Sequence, residues 1–143
     1  MTLRIAVSEK NETIRQEIRY LVEEHPDYVF TGDSADEYSV MSLVEDTRPS
    51  IIALDRDLTL QSNLLPAIRK FHPDLKIIYM TKTGNRDVVL EIYKYRIEAC
   101  IIKRNIFNEF FMAIEGITQN HRFLSSEITT AIVEEYIEAG SGL

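Results

Sequence analysis

Cysteine, glycine and proline are scarce and tryptophan is missing: one Cys, five Gly, four Pro and no Trp stand in 143 residues. The single thiol, Cys100, excludes an internal disulfide and fits a reducing cytoplasm. No apolar run approaches the ~18 residues that a membrane helix needs. The N-terminal Met1-Thr2-Leu3-Arg4 enters a strand-like run directly, so no signal peptide is visible. Basic excess is missing too: 16 Lys and Arg stand against 23 Asp and Glu, and a net charge of -7 opposes gripping nucleic acid by the segment's own field. There is no internal repeat and no low-complexity run. The loop Ser8-Glu9-Lys10-Asn11 holds no glycine, which excludes a dinucleotide fingerprint and a phosphate-binding P-loop. His25, His72 and His121 are scattered beside proline or polar residues, without metal-ligand spacing, and are expected at the surface.

What is present is a hydrophobic content of 45%, ordinary for a globular protein, in a length that suits one core. The clearest stretch is Ser50-Ile51-Ile52-Ala53-Leu54-Asp55. Its unbroken apolar run reads as a strand buried on both faces that ends in a carboxylate. Around it the chain alternates. Leu3–Val7, Tyr28–Thr31, Lys76–Met80 and Ala99–Ile102 read as further strands. Helices are predicted between them from apolar stripes: Ile14, Ile18, Leu21 and Val22; Val40, Leu43 and Val44; Leu64 to Phe71; Val88, Val89, Ile92 and Tyr93; and Ile106, Phe107, Phe110, Phe111 and Ile114. Ser34 and Glu37 have the spacing of a capping box for the second helix.

Five β-α units predict an α/β fold: a doubly wound, five-stranded parallel sheet of order 2-1-3-4-5, flavodoxin-like, plus one C-terminal helix. That last helix is expected from about Ser126 to Ala139, with Ile128, Ile132 and Tyr136 on one face, a stop at Gly140 and a linker beginning in Gly140–Leu143. Residues 1–120 are thus expected to form one domain and 121–143 a linker and helix.

In such a sheet the carboxyl ends of strands one, three, four and five line one crevice. They bring Ser8 and Glu9, Asp55, Thr81 and Lys103 together. Paired acids invite a hard divalent cation such as Mg2+, which keeps waters for a phosphate. A hydroxyl and an ammonium can hold the oxygens of a phosphoryl group.

This constellation resembles the CheY-like receiver domain of two-component response regulators, over about Leu3 to Gln119. The resemblance implies that Asp55 is the phosphoryl acceptor, Thr81 the switch hydroxyl and Lys103 the phosphate-binding lysine. It implies Mg2+ held by Glu9, Asp55 and the backbone carbonyl of Asp57. Phe123-Leu124-Ser125-Ser126-Glu127 and the helix after it are similar to the receiver-to-output linker of LuxR/NarL-type transcription factors. The implied protein is a cytoplasmic, non-enzymatic switch. Its implied partners are a histidine kinase and a second copy of itself through Tyr93, Tyr95, Phe107 and Phe110. DNA would be reached only through an output domain absent from these residues, and no membrane is involved.

The chain departs from the receiver pattern in several places. Ser8 stands where a second acid is usual and weakens the cation site. Thr59 replaces a proline, Lys82 a small residue, Cys100 an aromatic switch residue and Arg104 a proline. Lys82 and Arg56 are cations that could partly replace the metal's charge, or side chains pointing away. Two other readings follow: a pseudo-receiver acting by protein contacts without phosphate, and a small flavodoxin-like enzyme or nucleotide-binding module.

Overall fold

The structure, a computed structural model, describes residues 2–141. Its elements alternate: β1 (Leu3–Ser8), α1 (Glu12–Glu24), β2 (Tyr28–Ser34), α2 (Val40–Thr47), β3 (Ile51–Asp55), α3 (Leu64–Phe71), β4 (Lys76–Thr81), α4 (Arg86–Lys94), β5 (Ala99–Ile102), α5 (Ile106–Thr118), β6 (Phe123–Leu124) and α6 (Ser126–Ser141). The strands form one parallel sheet in the order β2-β1-β3-β4-β5-β6.

Because successive strand residues point to opposite faces, the apolar runs build two cores. Ile52, Leu54, Ile77, Tyr79, Cys100 and Ile102 face one way and meet the buried residues of α2, α3 and α4. Ile51, Ala53, Ile78, Met80, Ala99 and Ile101 face the other and meet those of α1 and α5. Burying a side chain of the Ile class contributes about 1.5–3 kcal/mol, so the central strands specify the layering. Two of the helices, α1 and α4, start at a side-chain cap. Asn11 accepts the Ile14 N–H at 3.2 Å to open α1, and Asn85 accepts the Val88 N–H at 3.1 Å to open α4. The buried face of α1 follows the predicted stripe, with Ile18, Leu21 and Val22 buried, and α3 buries Leu64, Leu65 and Ile68.

Four expectations are corrected. The sheet has six strands rather than five, and the tail is a strand and a helix rather than a helix alone. Phe123 donates to the Glu98 carbonyl and Ser125 to the Cys100 carbonyl, so β6 covers the open edge of β5. Two residues are too short a run to show alternation. Second, β2 continues past Thr31 to Ser34. A bulge lets Gly32, at φ 154, take the place opposite Ala6, and Gly-Asp-Ser reads as a turn only in isolation. Third, Ser34 is the end of β2 and not a cap. Asp36 accepts the Ser39 N–H at 2.9 Å and opens the short 3-10 turn that leads into α2. Fourth, α6 runs through Gly140 to Ser141, while Gly142 and Leu143 of the expected linker lie outside the described residues.

Candidate functional site

Glu9, Asp55, Thr81 and Lys103 do meet at the carboxyl edge of the sheet. Residue pairing sets Asp55 opposite Met80, so Thr81 stands one step beyond it on the next strand. Glu9 and Asp55 are 0% exposed and Thr81 2%. The Lys103 ammonium lies 2.8 Å from Asp55 Oδ1 and 2.9 Å from Glu9 Oε1, so one cation serves two buried carboxylates. A short turn directly after β5 places it there.

The acids are also held by backbone donors that the sequence reading did not name. The Asp57 N–H donates to Asp55 Oδ1 at 3.0 Å, the Lys10 N–H to Asp55 Oδ2 at 3.3 Å, and the Asn11 N–H to Glu9 Oε2 at 2.9 Å. Glu9 Oε1 touches the ammonium but receives no hydrogen bond of acceptable angle, which leaves a buried carboxylate oxygen short of a donor. Burial first, and then a hydrogen bond shared with Asp55, hold the Glu9 carboxyl above the ordinary carboxylate range. Burial pushes Asp55 the same way, but the bonds from Glu9, Lys103 and the Asp57 N–H outweigh it and Asp55 is held below that range. Burial likewise works against the Lys103 charge, and the two acids overcome it and raise its pKa. Of the two, Asp55 is the more readily ionised and Glu9 the one that more readily keeps a proton.

The other nominated side chains make their hydrogen bonds and ion pairs away from Glu9 and Asp55. Ser8 is buried with its hydroxyl 2.6 Å from that of Ser34 on β2, so it is engaged sideways. Thr81 donates to the Thr83 carbonyl at 2.8 Å. Lys82 is 75% exposed and 3.7 Å from Asp57, and Arg56 is turned to Glu91, so neither supplies charge to Glu9 and Asp55. Among the described residues no group of three or more His, Cys, Asp or Glu side chains is placed to hold a metal. The donor-poor Glu9 Oε1 and the Asp55 carboxylate still offer two hard oxygens of the type a Mg2+ ion takes.

Two features escaped the sequence reading. The first is a polar cluster buried beneath the acceptor loop. Tyr79, fully buried, donates to Glu91 Oε1 at 2.5 Å and shares a hydrogen bond with Thr59 at 2.8 Å. Arg56 grips Glu91 with two nitrogens, at 3.0 and 2.8 Å. Burial, followed by the Glu91 bond, raises the Tyr79 pKa far above the usual phenol value. A lone Tyr in an otherwise aliphatic strand was the available signal, because a buried hydroxyl demands partners. The second is the anchoring of the tail. Ser125 is fully buried, accepts the Ile102 N–H at 2.9 Å and donates to Glu109 at 2.9 Å. Of the aromatics nominated for self-association, Tyr93 and Phe107 are exposed, whereas Phe110 is core and Tyr95 packs against the core on the other face of the sheet. Of the histidines expected at the surface, His121 is exposed, while His25 is half-buried and stacks on Tyr28 at 3.7 Å.

No protein-family model matches the chain. Among curated proteins it is similar to the uncharacterized transcriptional regulatory protein YxjL of Bacillus subtilis, 21% identical over 139 residues, which cover 96% of this chain and 64% of that protein. The chain thus spans a little under two thirds of the length of such relatives. Among solved structures it is similar to a two-component response regulator of the LuxR family from Aurantimonas sp. SI85-9A1, with a TM-score of 0.86, 24% identity and coverage of 96% and 99% of the two chains. It also matches RcsB from Salmonella enterica bound to promoter P1flhDC with the phosphomimetic BeF3-, with a TM-score of 0.85, 16% identity and coverage of 98% and 70%. The fold is that of a response-regulator receiver domain, and the resemblance to LuxR/NarL-type regulators read from the sequence holds. No helix among the described residues is long and apolar enough to cross a membrane.

Proposed function

We propose that this chain is a phosphoryl-accepting receiver domain that controls transcription through an output domain, with Asp55 as acceptor. The observation that carries the reading is a fully buried aspartate at the carboxyl end of the central strand, paired at 2.8 Å with a lysine that a second acid shares. A purely structural ion pair would not need a second buried acid sharing the same ammonium, since the surplus negative charge costs stability.

In this reading an Asp55 oxygen attacks phosphorus in a histidine kinase phosphoimidazole or in a small acyl phosphate. The P–N or P–O bond breaks, the leaving group departs with the electron pair, and the acyl phosphate remains on Asp55. Oδ2 carries the lighter load, one hydrogen bond of 3.3 Å, and is the freer nucleophile. Lys103 follows the charge from the carboxylate onto the phosphoryl oxygens. Thr81, one position past the acceptor's neighbour, supplies a hydroxyl to the same oxygens. Mg2+, when bound by Glu9, Asp55 and the Asp57 carbonyl, would neutralise phosphoryl charge. With neutral Ser8 in place of an acid, its binding is weaker than in a two-acid receiver. The protein acts in the cytoplasm and turns over no separate substrate. Paired copies and DNA contact through the output domain complete the proposal; a structural neighbour is described as two RcsB dimers bound to two parallel DNAs.

Incubation with acetyl phosphate and Mg2+ followed by mass spectrometry tests it. One phosphoryl increment is expected, located to Asp55 and lost in Asp55→Asn. Absence of labelling under conditions that label a control receiver favours the phosphorylation-independent pseudo-receiver instead.

A further inference from the structure

The N-terminus of α6 is tied to both loops that flank the acceptor. Glu127 accepts the Gly84 N–H at 2.6 Å through one carboxylate oxygen and pairs with Arg104 at 2.6 Å through the other. Gly84 lies in the loop after Thr81, and Arg104 directly follows Lys103. One side chain of the tail therefore bridges the loops that carry the switch hydroxyl and the phosphate-binding lysine.

The contact is close on the apolar side as well. A Cβ on Gly84 would stand 2.8 Å from Ile128 Cδ1 and 3.2 Å from the Glu127 carbonyl oxygen. Gly84 does not have positive φ, so glycine is needed there for space and not for conformation. Ile128 is fully buried and closes the core face that α4 covers. The segment just before is fixed: β6 is paired to β5, and Ser125 is bonded on both sides. Farther along, Ile132 packs against the same core, and α6 meets α4 again through the partly exposed Arg86–Glu135 pair at 3.6 Å. The tail is thus pinned at β6, latched at Glu127 and packed on the core through Ile128 and Ile132.

Thr81 connects the latch to the acceptor. Its hydroxyl now donates to the carbonyl of Thr83, the residue before Gly84. A phosphoryl group on Asp55 is the stronger acceptor, because hydrogen bonds to a charged oxygen exceed those to a carbonyl. Taking that partner frees the Thr83 carbonyl and shifts the Gly84 N–H.

We propose that Glu127 is a latch through which the state of Asp55 sets the position of the C-terminal helix: closed on Gly84 and Arg104 when Asp55 is free, released when Asp55 is phosphorylated. This deepens the receiver reading and rests on it. Release makes α6 pivot about the pinned β6 and uncovers the α4 face.

Hydrogen exchange across α6 in the whole chain, read by mass spectrometry beside acetyl phosphate labelling, tests the latch. Without phosphate, Glu127→Gln should exchange roughly fivefold faster in α6 than wild type, the low end of common coupling factors. Gly84→Ala should do the same by pushing Ile128, with Glu127 intact. On labelling, wild-type α6 should rise to the rate of Glu127→Gln, and the variant should gain little more, because its latch is already open. Labelled Asp55 with unchanged α6 exchange overturns the latch and leaves the receiver reading standing. A Glu127→Gln variant that still responds as wild type also overturns it. No labelling at Asp55 overturns the receiver reading and the latch's trigger together.

Discussion

Replacing Glu9 by glutamine should make the metal-free protein more stable. In the wild type two buried carboxylates share one ammonium, and Glu9 Oε1 lacks a hydrogen-bond donor. Leaving a buried polar atom unpaired costs about 1–3 kcal/mol. The glutamine side chain keeps the oxygen that accepts the Asn11 N–H and sets its NH2 where Oε1 stood, as a donor toward Asp55, where Glu9 shares its hydrogen bond. Lys103 still neutralises Asp55, so the variant loses the surplus negative charge, but it also loses the 2.9 Å contact of Oε1 with the ammonium, which must turn its N–H bonds away from the new NH2. The expected gain is about 1–2 kcal/mol, the lower part of that range, because the amide is a poorer partner than the carboxylate for the nearby ammonium.

The pH dependence follows from the raised Glu9 pKa. A carboxyl whose folded pKa lies above its unfolded value favours the fold while protonated, below the unfolded pKa, and loses that contribution as the pH climbs through the folded value. Above its raised folded value Glu9 is ionised at a cost that the uncharged amide never meets. The gain should be full above the folded pKa of Glu9 and fade as the pH falls through that value toward the ordinary carboxylate range. Urea unfolding followed by circular dichroism in chelator should show a midpoint shift of roughly 0.5–1 M upward. Adding Mg2+ should then stabilise the wild type more than the variant, since only the wild type offers the charged ligand. A variant no more stable than wild type at pH 7.5, or a gain that grows toward acid pH, would refute the reasoning.

Tyr79→Phe should cost about 1–2 kcal/mol in urea unfolding, since it removes a buried hydroxyl from Glu91 and Thr59 while Arg56 keeps Glu91 paired; a loss that is unchanged in a Glu91→Gln background would count against the link between them. Gly32→Ala should cost at least ~1 kcal/mol, because a Cβ at φ 154 is strained and stands 3.0 Å from Leu43 Cδ1; an unchanged midpoint would mean that the bulge relaxes. Cys100, buried and with its thiol pushed up to about 12 by burial, should resist alkylation at neutral pH until the protein unfolds; rapid native labelling would show that β5 opens. Ser8→Asp should tighten Mg2+ binding about tenfold by calorimetry, at the low end of the 1–3 kcal/mol scale of a charged partner; an unchanged affinity would show that Lys103 already supplies the needed charge.

Central strands were legible because their signal is local and redundant. Ile51-Ile52-Ala53-Leu54 needs no tertiary context to be read as buried, and all four are fully or nearly fully buried. A carboxylate or hydroxyl that ends such a run is placed by the strand itself, which is why Glu9, Asp55, Thr81 and Lys103 could be nominated together. The edges were not legible in the same way. Gly32-Asp33-Ser34 has turn composition, yet it pairs because β1 lies alongside and a bulge absorbs the glycine. Phe123-Leu124 is a strand only because β5 leaves an edge open. Side-chain direction was also invisible. Ser8 was read as a vacated acid position, but whether its hydroxyl faces the crevice or Ser34 is decided by the neighbouring strand.

Cys100 illustrates how a loss at one position can be misread when its neighbour is ignored. Taken alone, a small thiol where receivers carry an aromatic removes a side chain that swings. Register sets Cys100 opposite Tyr79, and both point into the same core. The aromatic bulk on this face thus comes from the adjacent strand. There the ring is fully buried and its hydroxyl is fixed by Glu91 and Thr59. A tyrosine tied at its far end is a strut between β4, the loop after Asp55 and α4. A swing would leave the Glu91 carboxylate without one of its donors. In the proposed switch, motion on this side of the site is therefore left to Thr81, whose hydroxyl donates to a loop carbonyl two residues on and would exchange it for a charged oxygen without uncovering the core.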